Sequence, residues 1–384
     1  MRFEFATAGR VLFGPDTLNE VESIFRDLGK RVLIVRGGNP ERTRPLEAIL
    51  GAANVEYSSF EIQGEPTIER IEEGVKQTRQ AEVDFVVGLG GGSVIDAAKA
   101  IAGLVTNPGP ILDYLEVIGK GKQLSAPSLP CVAIPTTAGT GTEVTRNSVL
   151  GSPEQRVKVS LRSPFLLPRF AIVDPKLTCE LPPSVTASTG LDALTQLIEP
   201  YVCLRSNPIT DGLCVEGMRR AARSLRHAYE TGDDISARED MALASLFGGF
   251  SLANAGLGAV HGFAAPIGGM FHAPHGAVCA ALLPHVMKIN VRAIRERAGN
   301  SPVLGRYDSI GAILTGSGKA VANDGIQWIG ELCKALNVSG LGTYGVAEAD
   351  IPVLVEKASI ASSMKANPIV LTTEELTEAL HLAL

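Results

Sequence analysis

A run of small residues between an apolar strand and an apolar helix constrains this chain more than any other feature. Residues 84–102 read DFVVGLGGGSVIDAAKAIA, so Gly88, Gly90, Gly91, Gly92 and Ser93 separate a strand-like run, Asp84–Val87, from a helical pattern over Val94–Val105. A strand entering a helix through glycine presents the free backbone N–H groups of the helix N-terminus, whose partial positive charge suits phosphate. A tight turn in which glycine serves packing alone is the competing reading. The spacing is neither the GxGxxG dinucleotide fingerprint nor a P-loop, because no GK[ST] follows. Three consecutive glycines and a serine favour a pyrophosphate site.

The flanking sequence alternates strand and helix. Phe3–Phe13 reads as strands or a hairpin, Asp16–Leu28 as an amphipathic helix, and Arg31–Val35 as a buried parallel strand. Helical patterning at Pro45–Leu50, a strand at Val55–Phe60 and a helix at Ile68–Arg79 lead into the glycine loop. Strands at Pro130–Ile134 and Phe170–Val173 follow. Such alternation specifies an α/β domain with a parallel sheet. Beyond Pro182 and Pro183 helices dominate, at Thr186–Cys203, Pro208–Glu230, Ala237–Ala255 and Gly276–Glu296. The expected division is an α/β dinucleotide-binding domain over 1–182 and an all-α metal and substrate domain over 183–384. A length of 384 residues exceeds what one core usually supports.

Composition narrows the function classes. A net charge of −6 and a pI near 5.6, with no basic stripe, argue against nucleic acid as a partner. The N-terminal MRFEFATAGRVLFG lacks the apolar core of a signal peptide, and no apolar run suffices to span a bilayer. Six scattered cysteines without CxxC pairs read as buried free thiols in a reducing cytoplasm.

Two further stretches carry candidate chemistry. PTTAGTGTE places Thr136, Thr137, Thr140 and Thr142 after a strand, either as an ordinary Ser/Thr turn or as the second wall of a cofactor cleft, within reach of Lys158. VRGGNPERTR follows the earlier strand at the place where an acid commonly binds a ribose hydroxyl, and offers Arg36, Arg42 and Arg44 instead. Four of the six histidines, His261, His272, His275 and His285, crowd into Val260–His285, and imidazole is both the commonest metal ligand and the usual proton carrier.

GLGGGSVIDAAK, PTTAGTGTEVT, TGLDALTQLIEPYV and VHGFAAPIGGMFHAPHGAVCAALLPHVM, in this order, resemble the iron-dependent (group III) alcohol dehydrogenases over essentially the whole chain. The resemblance implies a nucleotide-binding α/β domain, a helical domain, a cleft between them and a homodimer. It implies pyrophosphate contacts at Gly91, Gly92 and Ser93, nicotinamide-side contacts at Thr136, Thr137 and Thr140, and ribose-side contacts at Lys158 and Val149. Gly37 occupies the place of an aspartate that discriminates against NADP, so NAD or NADP is admitted. Asp192, His261 and His275 match metal ligands, for Fe, Zn or Ni.

Two positions depart from the pattern. Gln196 stands where a ligand histidine is usual, and Ala265 where a proton-transferring histidine is usual. Asp192 and Gln196 are four apart and share a helix face. Gln196 either ligates through its amide oxygen, as a weaker donor than imidazole, or donates to the substrate oxygen in a metal-independent reductase of the maleylacetate-reductase type. His272 is the stand-in proton carrier, with His261. The expected activity is hydride transfer between NAD(P) and a small alcohol, aldehyde or oxo acid. A dehydroquinate-synthase-like lyase is the alternative from another class.

Overall fold

The computed structural model describes residues 2–384. They form two compact units: one of Ala6–Thr137 with Gly141–Cys179, the other of Glu180–Leu384 with Ala138–Thr140 and the N-terminal residues through Phe5.

In the first unit the strands are β1 (Arg10–Phe13), β2 (Arg31–Arg36), β3 (Glu56–Glu61), β4 (Phe85–Gly90), β5 (Cys131–Pro135), β6 (Asn147–Ser152), β7 (Val157–Arg162) and β8 (Phe170–Val173). Six of them form a sheet in the order β1-β8-β5-β4-β2-β3, every pair parallel. Helices α1 (Glu22–Leu28), α2 (Arg44–Ala52), α3 (Ile68–Ala81) and α4 (Gly92–Thr106) connect them. β4 is buried along its length, as a near-continuous apolar run should be when helices cover both faces. Val86 packs on one side with Ala97, Ala98 and Ile101 of α4, and Phe85 and Val87 on the other with Phe25 and Leu46. Each such side chain contributes roughly 1.5–3 kcal/mol of burial.

The order of strands locates the ligand end. β3 lies outside β2, whereas β4 lies on the other side of β2, so the winding reverses between β2 and β4. In open parallel sheets ligands bind beyond the carboxyl ends of the strands at such a reversal. Gly37 follows β2 and Gly91 follows β4, so both flank it. The antiparallel hairpin β6-β7 is an addition that the sequence did not announce.

Of the strands or hairpin expected within Phe3–Phe13, one strand forms and no hairpin does. Only Arg10–Phe13 is strand, and it pairs in parallel with the distant β8, since no second strand follows it closely in sequence. Phe5 stands with the helical unit instead, its ring centroid 6.3 Å from that of Phe250.

The second unit contains α5 (Pro183–Val202), α6 (Pro208–Glu230), α7 (Ile235–Asn254), α8 (Ala259–Phe271), α9 (His275–Arg297), α10 (Val303–Thr315), α11 (Ala322–Ala335), α12 (Ile351–Ser359) and α13 (Thr373–Ala383). α5 is buried over most of its length and packs with α6, α7 and α9. α9 has the length and apolarity of a membrane span, but its most apolar stretch is 78% buried within the unit, so that apolarity serves the core. α8 was not expected as a helix. Its glycines and Pro266 are poor helix formers, and burial of Val260, Phe263, Ala264 and Ile267 on one side overrides them.

Candidate active site

The glycines after β4 divide by role. A Cβ on Gly88 would come within 2.8 Å of the Ala98 methyl, and one on Gly90 within 2.7 Å of Val94 Cβ, so both are required where strand and helix touch. A Cβ on Gly91 would meet only the Thr137 side chain, at 3.5 Å. Gly91 is the N-cap of the 15-residue α4, no side chain caps that terminus, and Gly92 and Ser93 open the helix. An uncapped helix start of this length suits a phosphate.

The threonine loop leaves β5 beside it. Thr136 is buried and its N–H donates to Gly90 O at 2.9 Å, while Thr137 and Thr140 are half-buried. Thr140 groups with the helical unit. Val149 lies on β6 and donates its N–H to Asp96 Oδ2 at 3.0 Å. Lys158, on β7, is nearly buried and pairs with Glu65 at 2.8 Å. Gly37 is half-buried, with nothing within 4 Å of where a Cβ would point. Gly37 and Gly38 carry no acid after β2, but β3 brings one beside them: Glu61 accepts from Arg36 at 3.0 Å and lies 3.9 Å from a Gly38 Cβ position.

A buried network ties these loops together, and sequence reasoning missed it. Lys99 is fully buried in α4 and pairs with Asp96 at 3.0 Å. Its ammonium also donates to Thr142 O at 3.0 Å, to Thr145 Oγ1 at 3.1 Å, and to Thr142 Oγ1 and Asn147 O. Asp96 in turn accepts from Thr142 Oγ1 and Val149 N. The signal was a charged pair three apart in the otherwise apolar DAAKAIA.

The helical unit gathers the second constellation. On α5, Asp192, Gln196 and Glu199 fall at i, i+4 and i+7 and share one face. α8 supplies His261, and α9 supplies His275 and Cys279, again four apart. His261 Nε2 and His275 Nε2 each lie 3.5 Å from Asp192 Oδ1, and the two rings are 5.3 Å apart at their centroids. Glu199 receives both Val260 N–H at 2.7 Å and His261 Nδ1 at 2.6 Å, so it caps α8 and fixes the imidazole with Nε2 turned inward. This carboxylate–histidine pairing is the usual support behind a metal-ligating imidazole. Cys279 and Glu199 went unrecognised in the sequence. Each stands at helical spacing from a recognised residue, which was the available clue.

Electrostatics and hydrogen bonding agree with a cation site. Burial pushes the Asp192 carboxyl up, but His275, His261 and Gln196 outweigh it and hold it at about 2. Burial pushes both imidazoles down, yet the Cys279 sulfur and Asp192 bring them above the ordinary histidine value, which marks a pocket that prefers positive charge. Among the described residues Asp192 Oδ1 and Gln196 Oε1 are buried without a hydrogen-bond partner, a costly state for polar atoms unless an ion completes them. A carboxylate oxygen, two imidazole nitrogens and a sulfur fit a divalent transition metal.

The remaining histidines separate from the cluster. His272 is exposed, in left-handed backbone (φ 53°) at the C-cap of α8, and among the described residues no hydrogen bond or ion pair joins it to the four donors. Ala265 is half-buried one turn after His261. His227 is half-exposed and pairs with Asp234 at 2.8 Å.

Comparison with known proteins agrees with this construction. The model for iron-containing alcohol dehydrogenase matches residues 8–175, and that for the C-terminal part of the Fe-containing alcohol dehydrogenase family matches residues 186–384. Alcohol dehydrogenase 4 of Saccharomyces cerevisiae (strain YJM789) is 37% identical over 315 residues, covering 82% of this chain and 79% of its own. A solved 1,3-propanediol oxidoreductase superposes with a TM-score of 0.92 at 31% identity, covering 100% of both chains. A sulfoacetaldehyde reductase from Bifidobacterium kashiwanohense, solved in complex with NAD+, gives a TM-score of 0.87 at 27% identity, covering 100% of this chain and 99% of its own. These relatives do not favour the lyase or the metal-independent reductase. The chain belongs to the iron-containing alcohol dehydrogenase family and is an NAD(P)-dependent alcohol dehydrogenase.

Proposed function

We propose that the chain interconverts a small alcohol with its aldehyde, or a small hydroxy acid with its oxo acid, using a divalent metal held by Asp192, His261 and His275 with Gln196 beside them. The observation that carries this reading is the buried Asp192 Oδ1, unpartnered and flanked by two imidazole nitrogens at 3.5 Å. A bound divalent ion supplies Lewis acidity at the substrate oxygen. Glu199 keeps His261 in the ligating orientation.

On the α/β unit, the α4 terminus at Gly91, Gly92 and Ser93 binds the pyrophosphate. Thr136, Thr137 and Thr140 bound the nicotinamide side. Lys158 and Val149 serve the ribose side, for which Lys158 turns from Glu65. The open space at Gly37 supports acceptance of NADP as well as NAD, whereas Glu61, by engaging Arg36, supports NAD. His272 carries the proton in place of a residue at position 265. Family resemblance supports a homodimer, and six free cysteines support a cytoplasmic setting.

The test is metal analysis of protein purified without chelator, together with NADH and NADPH oxidation against a panel of small aldehydes and oxo acids. The expected result is near-stoichiometric divalent metal and turnover that a chelator abolishes. Chelator-resistant turnover by metal-free protein would overturn the metal reading.

A further inference from the structure

The donor atoms of the helical unit include one that the family resemblance does not assign. Cys279 Sγ lies 3.7 Å from His275 Nε2 and 3.9 Å from His261 Nε2, and both nitrogens stand 3.5 Å from Asp192 Oδ1. All four donor atoms lie within 4.8 Å of one another. Zinc bonds of roughly 2.0–2.1 Å to nitrogen, 2.0–2.2 Å to oxygen and about 2.3 Å to sulfur define a tetrahedron with edges of roughly 3.3–3.5 Å between nitrogen and oxygen and roughly 3.5–3.6 Å between nitrogen and sulfur. The two nitrogen–oxygen and two nitrogen–sulfur edges given above are at most about 0.4 Å longer and the other two lie within 4.8 Å, so side-chain rotations bring the four donors around one centre.

The surroundings of the sulfur point the same way. Cys279 is fully buried and faces two imidazole nitrogens, but a thiol has a single weak proton and satisfies at most one of them. His261 Nδ1 is engaged by Glu199, which leaves Nε2 for the centre of the cluster. Spacing four apart on α9 puts His275 and Cys279 on one helix face. Gln196 behaves differently. It hydrogen-bonds to Asp192, and its Oε1 has no partner. Among the described residues no imidazole nitrogen is hydrogen-bonded to the buried Cys131, Cys214 or Cys333; the Cys333 thiol donates to Ala280 O instead.

We propose that the Cys279 thiolate is the fourth protein ligand of this site, with Asp192, His261 and His275, and that the site takes a thiophilic divalent cation of the zinc and cobalt kind. Gln196 then orients Asp192. The inference rests on the metal reading above and specifies its donor set. The thiol proton passes to solvent as the ion binds, so binding weakens as pH falls. A thiolate donor favours zinc over magnesium or manganese, which prefer all-oxygen sites.

The test uses the full chain, stripped of metal and titrated with Co2+ and Zn2+. Wild type is expected to bind one equivalent of Co2+ and to develop a near-ultraviolet sulfur-to-cobalt charge-transfer band. Cys279→Ser should lose the band and at least about tenfold in affinity, whereas Gln196→Ala should keep the band. X-ray absorption of the zinc-loaded wild type, which depends on no variant's folding, should show one sulfur scatterer at about 2.3 Å. A wild type that binds neither ion overturns both the metal reading and this inference. A metal-loaded wild type with no sulfur scatterer and no charge-transfer band overturns the assignment of Cys279 alone.

Discussion

Glu143 is an ionisable group buried without a counter-ion dedicated to it, and replacing it should make the protein more stable above neutral pH. It follows the left-handed Gly141 in the threonine loop and is 2% exposed. Burial pushes its carboxyl up to about 7 from 4.5, softened by its backbone N–H and by Lys99. The folded protein therefore binds a proton that the unfolded chain releases above pH 4.5. Stability from this group is full below about pH 4.5, declines as pH rises to about 7 and is flat beyond. At 1.36 kcal/mol per pH unit the decline amounts to about 3 kcal/mol. Glu143→Gln keeps the shape and removes the titration. Measured by urea unfolding of metal-free, cofactor-free protein, the variant should match wild type or fall slightly below it at about pH 5, and exceed it by 1–3 kcal/mol at about pH 8. His261 and His275 also lower stability as pH rises, since their folded values are raised. They are common to both proteins, so the difference isolates Glu143. Parallel pH profiles for the two proteins would refute the reasoning.

Other substitutions probe the remaining networks. Lys99→Met leaves Asp96 buried without its cation and should destabilise the protein by about 3–5 kcal/mol, read by the same unfolding, while weakening NADH binding because this ammonium fastens the threonine loop to α4 through Thr142 and Thr145. Glu199→Gln should lower zinc affinity by roughly 10–100-fold with the fold intact, as the support of His261 Nδ1 is weakened; titration calorimetry checks this, and unchanged affinity would remove Glu199 from the site. Gln196→His places an imidazole one helical turn from Asp192 and should raise affinity for zinc at least about tenfold. Equal affinity would mean that position 196 does not face the ion.

Much of the architecture was legible because parallel sheets and amphipathic helices write their periods locally. RVLIV and DFVVGLG announce buried strands, and the long helices after residue 182 announce themselves by spacing. What escaped had non-local causes. α8 carries Pro266 and Gly262, and forms because its neighbours bury one face of it. β1 finds its partner some 160 residues away, which no local pattern records. At the candidate site, Asp192, His261 and His275 emerged from motifs. Cys279 emerged only when α9 set it against two imidazoles, since in sequence it is one apolar-flanked thiol among six. GLGGGS mixed glycines that permit packing with one that leaves space for a ligand, a distinction that needs the positions of Ala98, Val94 and Thr137.

Gly276, the residue after His275, lies so close to α5 that a Cβ there would stand 2.4 Å from Ser188 O. Main chain therefore rests on main chain between the helix that carries Asp192 and the helix that carries His275 and Cys279. Two backbones in contact cannot approach further, so the gap between the proposed donors of the two helices has a lower limit set by main chain. Calcium, which needs six to eight oxygens at roughly 2.3–2.6 Å, does not suit the proposed set of two imidazoles, a thiolate and one carboxylate. Gly276→Ala should wedge the helices apart and weaken zinc binding, read by titration, before it erodes the fold.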